Sequence, residues 1–380
     1  MKVADRLHTV QEYYFSHKLR EVRGLIAQGK PIINMGIGSP DLPPPAGALE
    51  ALNSVLYQDG SHKYQSYQGL PALRTAMTSF YQERFGVRIS PENEILPLIG
   101  SKEGIMHISM AFLNAGDAVL VPNPGYPTYS SVSRLLGTEL LEYDLLEENN
   151  WLPDIAQLQN LDLENIKLMW VSYPNMPTGA KITLDKMKEL VEFAQSNDIL
   201  LVNDNPYSFV LNDTPTSIFQ VPGAMDCALE LNSLSKTFNL AGWRVGMVLG
   251  NKDHIQAVLK VKSNMDSGMF YGIQKGAIAA LQSGKEWFIG LDEVYSRRRE
   301  LMYELVDKLD CSYDTNAAGM FVWAKLPKDA KPAEEFIDHL LYNKNIFIAP
   351  GTIFGSNGEG YIRFSLCVPS EKIKEAISRF

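Results

Sequence analysis

The stretch Ala228-Leu-Glu-Leu-Asn-Ser-Leu-Ser-Lys-Thr-Phe-Asn-Leu-Ala-Gly-Trp-Arg-Val-Gly-Met-Val-Leu249 sets two short apolar runs on either side of a segment of small and polar residues. Runs of this length, bounded by Asn and Gly, read as buried strands at 228–231 and 245–249. Between them stands Lys236. An ammonium ion resists burial, and desolvation lowers its pKa toward the neutral amine that attacks carbonyl carbons. Ser233, Ser235 and Arg244 would surround it with hydroxyl donors and a permanent cation suited to phosphate. The plain alternative is a lysine whose stem lies on the surface while its charge stays in water.

Working outward, four more apolar runs of the same kind occur at 95–99, 118–121, 166–171 and 199–202. Amphipathic stretches separate them, for example 184–196, with Leu184, Met187, Leu190, Val191 and Ala194 on one helical face. Alternation of this kind from about residue 68 to 280 is the pattern of an α/β domain around a largely parallel sheet. The last hundred residues differ: a long charged helix over 287–309, strands at 320–325, 346–349 and 361–366, and a final helix over 370–380. That is an α+β lobe. The opening segment ends in Asp41-Leu-Pro-Pro-Pro45, a stiff connector expected to pack on that lobe. At 380 residues the chain exceeds what one core usually serves. The division expected is a large domain over 46–282 and a smaller, discontinuous one from 1–45 with 283–380.

In open α/β sheets ligands lie beyond the carboxyl ends of the strands, so the residues after each run carry the chemistry. Gly100-Ser-Lys-Glu-Gly104 opens a helix, where Ser101 and Lys102 offer free backbone N–H groups and a positive dipole end to a phosphate, or simply cap the helix. Asn123-Pro-Gly-Tyr-Pro127 presents Tyr126 either as a surface turn residue or as an aromatic plate for a flat ring. In Tyr173-Pro-Asn-Met-Pro-Thr-Gly179 two prolines fix the chain so that the Asn175 amide points one way. In Asp204-Asn-Pro-Tyr207, an acid and a tyrosine three residues apart could hold the ring nitrogen and ring hydroxyl of one cofactor, or form a turn.

Composition narrows the class. A net charge of -9, with 45% hydrophobic and 21% charged residues, offers no basic field for nucleic acid or anionic lipid. Cys227, Cys311 and Cys367 are far apart and lack Cys-x-x-Cys spacing, so they read as reduced thiols. The six histidines include no His-x-x-x-His pair, and no metal is expected. The amino terminus has no apolar signal-peptide core, and no stretch approaches the roughly 20 apolar residues that cross a bilayer. A cytoplasmic location with no membrane partner is expected.

Six ordered elements then carry a resemblance: Gly-Ile-Gly-Ser-Pro-Asp at 36–41, Tyr64 with Gly69, Gly100-Ser-Lys, Asn175 with Pro177-Thr-Gly, Asp204 with Tyr207, and Ser-x-Ser-Lys236 with Gly242-Trp-Arg244. Together and in order they resemble the fold-type I pyridoxal-phosphate aminotransferases of class I/II, over nearly the whole chain. The likeness is nearest to the alanine, LL-diaminopimelate and aspartate aminotransferase-like branch. It implies a mostly parallel seven-stranded sheet between helices with a smaller α+β domain, and pyridoxal 5′-phosphate held as a Schiff base on Lys236.

By the same resemblance, Asp204 pairs with the pyridine nitrogen, Tyr207 and Asn175 hold the ring oxygen, and Tyr126 stacks on the ring. Ser101, Lys102, Ser233, Ser235 and Arg244 bind the phosphate. Tyr64 reaches the phosphate of the neighbouring subunit, which implies a homodimer with shared active sites. Arg363 grips the substrate α-carboxylate with the Gly38 backbone and Asn175 nearby, although strand pattern alone makes Arg363 an exposed residue. The implied reaction is ping-pong transfer of an amino group between an L-amino acid and a 2-oxo acid, through pyridoxamine phosphate. Met176 stands where the family usually has asparagine, and Asn205-Pro206 follows Asp204 where many relatives have Glu-x, departures that bear on subgroup and substrate. The competing readings are a carbon–sulfur β-lyase on the same fold and a non-catalytic aminotransferase-like sensor. A nucleotide-dependent dehydrogenase is weaker, because Gly36-Ile-Gly38 lacks the third glycine of the dinucleotide fingerprint.

Overall fold

The computed structural model describes residues 1–10 and 14–380. The six apolar runs become strands of one seven-stranded sheet. Its order is Ile95–Leu98, Gly246–Gly250, Ala228–Ser233, Leu200–Asp204, Ile166–Val171, Ala118–Asn123, Glu139–Asp144. All neighbours are parallel except where Gly246–Gly250 runs against both of its own. Central strands such as Ala118–Asn123 and Ala228–Ser233 are buried along their whole length, as strands covered by helices on both faces must be. The seventh strand, Glu139–Asp144, is an edge strand with only Tyr143 buried, so it carries no apolar run to read.

Local chemistry explains where the covering helices begin and end. Thr183 caps Leu184–Ser196 by accepting from the Lys186 amide at 3.2 Å, and Met187, Leu190, Val191, Phe193 and Ala194 are buried on the sheet. Leu184, on the same face by periodicity, is the first helical residue and stays exposed. Pro71 starts Pro71–Phe85, where its missing N–H costs nothing, and Gly86 ends it in the left-handed region at φ 70°.

A second, antiparallel sheet is ordered Ala349–Pro350, Tyr361–Ser365, Phe321–Lys325, Ser312–Tyr313. The long helix Lys285–Asp307 and the terminal helix Ser370–Ile377 pack together beside it. The opening segment joins this part: Ile33–Asn34 pairs in parallel with Ile346–Phe347. Arg298 also grips the Asp41 carboxylate with two hydrogen bonds, of 2.7 and 2.8 Å. The molecule is thus a large α/β domain with a smaller α+β domain. The smaller core includes Met176 and Tyr207, which come from the loops after the large sheet's strands, so the two parts meet at those strand ends.

Candidate active site

Beyond the carboxyl ends of the parallel strands lies a cavity of about 550 Å³. Its lining brings together Gly38, Ser101, Lys102, Tyr126, Asp204, Tyr207, Ser233, Ser235, Lys236, Arg244 and Arg363, residues spread over more than 300 positions of chain.

Lys236 sits on the short helix Leu234–Thr237, which Ser233 caps by accepting from the Ser235 amide at 3.2 Å. Its Nζ donates to the Gly38 carbonyl. Burial is the main force that lowers its pKa to about 8, with the Arg363 and Arg244 guanidinium groups adding to it and the Cys367 thiol opposing. The neutral amine that attacks a carbonyl carbon therefore amounts to about a tenth at pH 7, far more than for an exposed lysine.

Asp204 ends its strand and is 5% exposed. Its Oδ2 accepts from the Tyr129 hydroxyl at 2.8 Å, while its Oδ1 is buried with no hydrogen-bond partner. Burial raises its pKa to about 6, against the Tyr129 hydrogen bond. An acceptor left unpaired in the interior costs about 1–3 kcal/mol, so this oxygen is suited to a donor brought by a bound molecule.

The end of the cavity beside Ser101 depends on close approach. Gly100 adopts φ 87° just before the helix Ser101–Phe112, and a Cβ there would press on the Arg244 guanidinium. The left-handed backbone is what calls for glycine here, since the guanidinium end of Arg244 could shift. Arg244, itself in the left-handed region at φ 58°, is held by Nη1 donating to the Ala241 carbonyl at 2.9 Å. The Ser101 and Lys102 backbone at the start of a three-turn helix, the Ser233 and Ser235 hydroxyls and the Arg244 cation line one cavity, a set of groups that could hold an anion.

Arg363 is 7% exposed, not the exposed strand residue its alternating pattern suggests. Its guanidinium lies over the rings of Phe321 at 3.9 Å and Phe354 at 4.6 Å. It donates to the Gly36 carbonyl at 3.1 Å and to Met176 Sδ at 3.3 Å. Facing it, Tyr207 is buried against Phe321, and burial raises its hydroxyl pKa.

Two of the residues named from sequence stand apart from the cavity lining. The Asn175 side chain is turned into its own loop, its Oδ1 accepting from the Thr178 hydroxyl at 2.8 Å and its Nδ2 donating to the Ser172 carbonyl at 3.3 Å. Tyr64 is 90% exposed on the outer surface. Sequence reasoning passed over Tyr129, Phe321 and Phe354, which line the cavity together with Met176, read from the sequence as bearing on the substrate. A signal existed for Tyr129, which follows Tyr126 by one helical turn. Nearby, three possible metal ligands, Glu103, His107 and Asp266, come within 4.8 Å of one another. The buried Lys262 ammonium pairs with Asp266 at 2.8 Å and supplies a positive charge there.

An amine of depressed pKa, groups that could hold an anion, the Tyr126 ring and a carboxylate with one unpaired oxygen, all lining one cavity, fit pyridoxal phosphate, and fold and site together define a fold-type I enzyme of that cofactor. Residues 30–380 match the family described as aminotransferase class I and II, and the chain belongs to it. It is 41% identical to the LL-diaminopimelate aminotransferase of Maridesulfovibrio salexigens, over 100% of this chain and 98% of that one. It is 40% identical to the enzyme of that name from Aquifex aeolicus, over 99% and 97% of the two chains. Among solved structures, substrate-bound BacF from Bacillus subtilis superposes with a TM-score of 0.94 at 36% identity, covering 100% of this chain and 97% of that one. The protein is a pyridoxal-phosphate-dependent aminotransferase, acting between amino acids and 2-oxo acids.

Proposed function

We propose that Lys236 is both the covalent anchor of pyridoxal phosphate and the acid–base group of the transfer, working in two half-reactions in a homodimer. Bound at this site, the cofactor supplies an electron sink for the carbanion left when an amino acid loses its α-proton. The protein's residues then have separate tasks. Asp204 Oδ1 holds a proton on the ring nitrogen. Ser101, Lys102, Ser233, Ser235 and Arg244 hold the phosphate, Tyr126 covers the ring, and Tyr207 faces its oxygen, which Asn175 reaches only when its amide turns out of its own loop. Arg363 binds the α-carboxylate next to Gly38, and the Lys236 amine carries the proton between the substrate carbon and the cofactor. The observation that carries this reading is the Lys236 amine lying in one cavity with the unpaired Asp204 oxygen and the Arg363 guanidinium.

The two-subunit reading is supported by exposed apolar surface. Tyr64, Tyr67 and Met265 are exposed on two loops in contact, where a Cβ on Gly268 would press on the Gln65 carbonyl oxygen. Such a patch suits a partner surface, with Tyr64 extending to the neighbour's phosphate. Residues 46–282 then form the cofactor-binding unit, and 1–45 with 283–380 the smaller one. Among the described residues no helix is long and apolar enough to cross a membrane, and we place the enzyme in the cytoplasm, in amino-acid biosynthesis.

The names of the relatives make LL-diaminopimelate the first donor to test. A panel of amino donors and 2-oxo acid acceptors, scored for 2-oxo acid released in a single turnover, should give stoichiometric product without net ammonia. Ammonia with pyruvate and a thiol from a cysteine-like donor would instead make the chain a β-lyase.

A further inference from the structure

Glu230 lies in the middle of the strand Ala228–Ser233, is fully buried and does not line the cavity. Its Oε1 accepts from the Tyr81 hydroxyl at 2.8 Å and the Ser217 hydroxyl at 2.9 Å. Its Oε2 accepts from Asn203 Nδ2 at 3.0 Å and the Ile218 amide at 2.9 Å. All four partners donate, which matches an ionised carboxylate with its acceptor positions filled. None of the four is a cation. Burying a charge in this way is costly, and a well-packed apolar residue would fill the same sheet face without that cost. Packing alone therefore does not explain the carboxylate.

Two of its arms lead to the site. Tyr81 accepts from Asn232 Nδ2 at 3.1 Å, and Asn232 Oδ1 accepts from the Ser233 amide at 2.7 Å. Ser233 caps the helix that carries Lys236. On the other side, Asn203 Oδ1 accepts from the Tyr173 amide at 3.3 Å, two residues before Asn175, and Asn203 immediately precedes Asp204. The third arm, through the Ser217 hydroxyl and the Ile218 amide, ends on the short turn Ile218–Gln220, which does not line the cavity; the adjacent Thr216 meets Asn205 through its backbone carbonyl at 2.9 Å, a bond that a change of the Ser217 side chain leaves in place. Inside the sheet the backbone ladder fixes each strand against the next. At the strand ends, where the site residues lie, side-chain bonds must do this, and reacting groups tolerate misplacement of only about 0.5 Å.

We propose that Glu230 is a positioning residue that sets the Lys236 helix and the Tyr173–Asn175 loop relative to each other, a role that rests on the cofactor site described above. Tyr81 and Ser217 allow a matched test, because Tyr81→Phe and Ser217→Ala each remove one hydroxyl donor from the same carboxylate oxygen. On the full-length chain stripped of cofactor, thermal unfolding and pyridoxal phosphate titration are measured. On the reloaded enzyme, the pH midpoint of the cofactor's absorbance is measured. Both variants should unfold at lower temperature. Only Tyr81→Phe should also weaken pyridoxal phosphate binding, by about tenfold, and move the absorbance midpoint, since one lost bond to a charged group is worth about that much. Equal effects of the two variants on affinity, or no effect of either, would overturn the proposal. Failure of the cofactor reading looks different, because the unaltered chain would then give no borohydride-trapped adduct with pyridoxal phosphate.

Discussion

Tyr129 donates to Oδ2 of Asp204 at 2.8 Å, while Oδ1 of the same buried carboxylate has no hydrogen-bond partner. One oxygen is fixed by the protein, and the residue that carries the unpaired one lines the cavity. The carboxylate is thereby oriented before anything binds, and its remaining acceptor position is where a ring N–H would be held.

This arrangement sets stability against binding. Burial moves the Asp204 carboxyl from 3.8 to about 6, so in that window the folded state binds a proton that the unfolded state releases. Stability therefore falls as pH rises through the window, and the full penalty, up to about 3 kcal/mol, applies above it. Asp204→Asn should stabilise the cofactor-stripped protein by up to that amount above about pH 7 and hardly at all below about pH 4. The same substitution should weaken pyridoxal phosphate binding. Urea unfolding at the two pH values checks the first part; a stability difference independent of pH would contradict it.

Lys236 gives a kinetic prediction. With its pKa lowered to about 8, the neutral amine appears at lower pH than for an exposed lysine. The rate of covalent capture of added pyridoxal phosphate should rise with pH through about 8 and then level off. Lys236→Ala should abolish the borohydride-trapped adduct and nearly all turnover. An adduct surviving on that variant would remove Lys236 from its assigned role.

The residues that were legible in sequence and those that were not differ for physical reasons. Ser101, Asp204 and Lys236 stand just after strands that apolar runs betray, and the carboxyl ends of such strands are where an open α/β sheet gathers ligands. Glu139–Asp144 escaped because an edge strand half in solvent needs no apolar run. The direction of Asn175 depends on a local competition: the Thr178 hydroxyl, three residues on, takes the amide oxygen, which prolines alone do not foretell. Arg363 reads as exposed by alternation, yet its environment is made by Phe321, Phe354 and Met176, from three other segments of chain. Such walls are set by tertiary packing, which periodicity does not encode.

Arg363 should bind substrate and contribute little to holding the cofactor. Its guanidinium lies in the cavity between two aromatic rings, an orientation suited to a planar carboxylate. Arg363→Ala should weaken amino-acid binding by about 2–5 kcal/mol, the range for removing one partner of a buried hydrogen-bonded charge pair. Affinity for pyridoxal phosphate should change far less. An unchanged KM would reject the role, and an equal loss for an amine lacking the carboxylate would show that the arginine acts through packing.

The shared site is the most demanding prediction, because a single chain leaves Tyr64 90% exposed while Lys236 lines the cavity. If the Tyr64 hydroxyl completes the partner's phosphate cradle, a Tyr64→Phe dimer lacks that contact in both sites. A Lys236→Ala dimer lacks the amine in both. Mixing the two variants under mild dissociating conditions places both losses in one site of each hybrid and leaves the other site intact. For random pairing about half the dimers are hybrids, so activity should approach about one quarter of the unaltered enzyme's. If the residues instead served sites within their own chains, each site of every hybrid would keep the one defect of its chain. Mixing would then add nothing beyond the residual activities of the parents. Activity that fails to rise while exchange of subunits is verified by mass would assign Tyr64 to the surface alone.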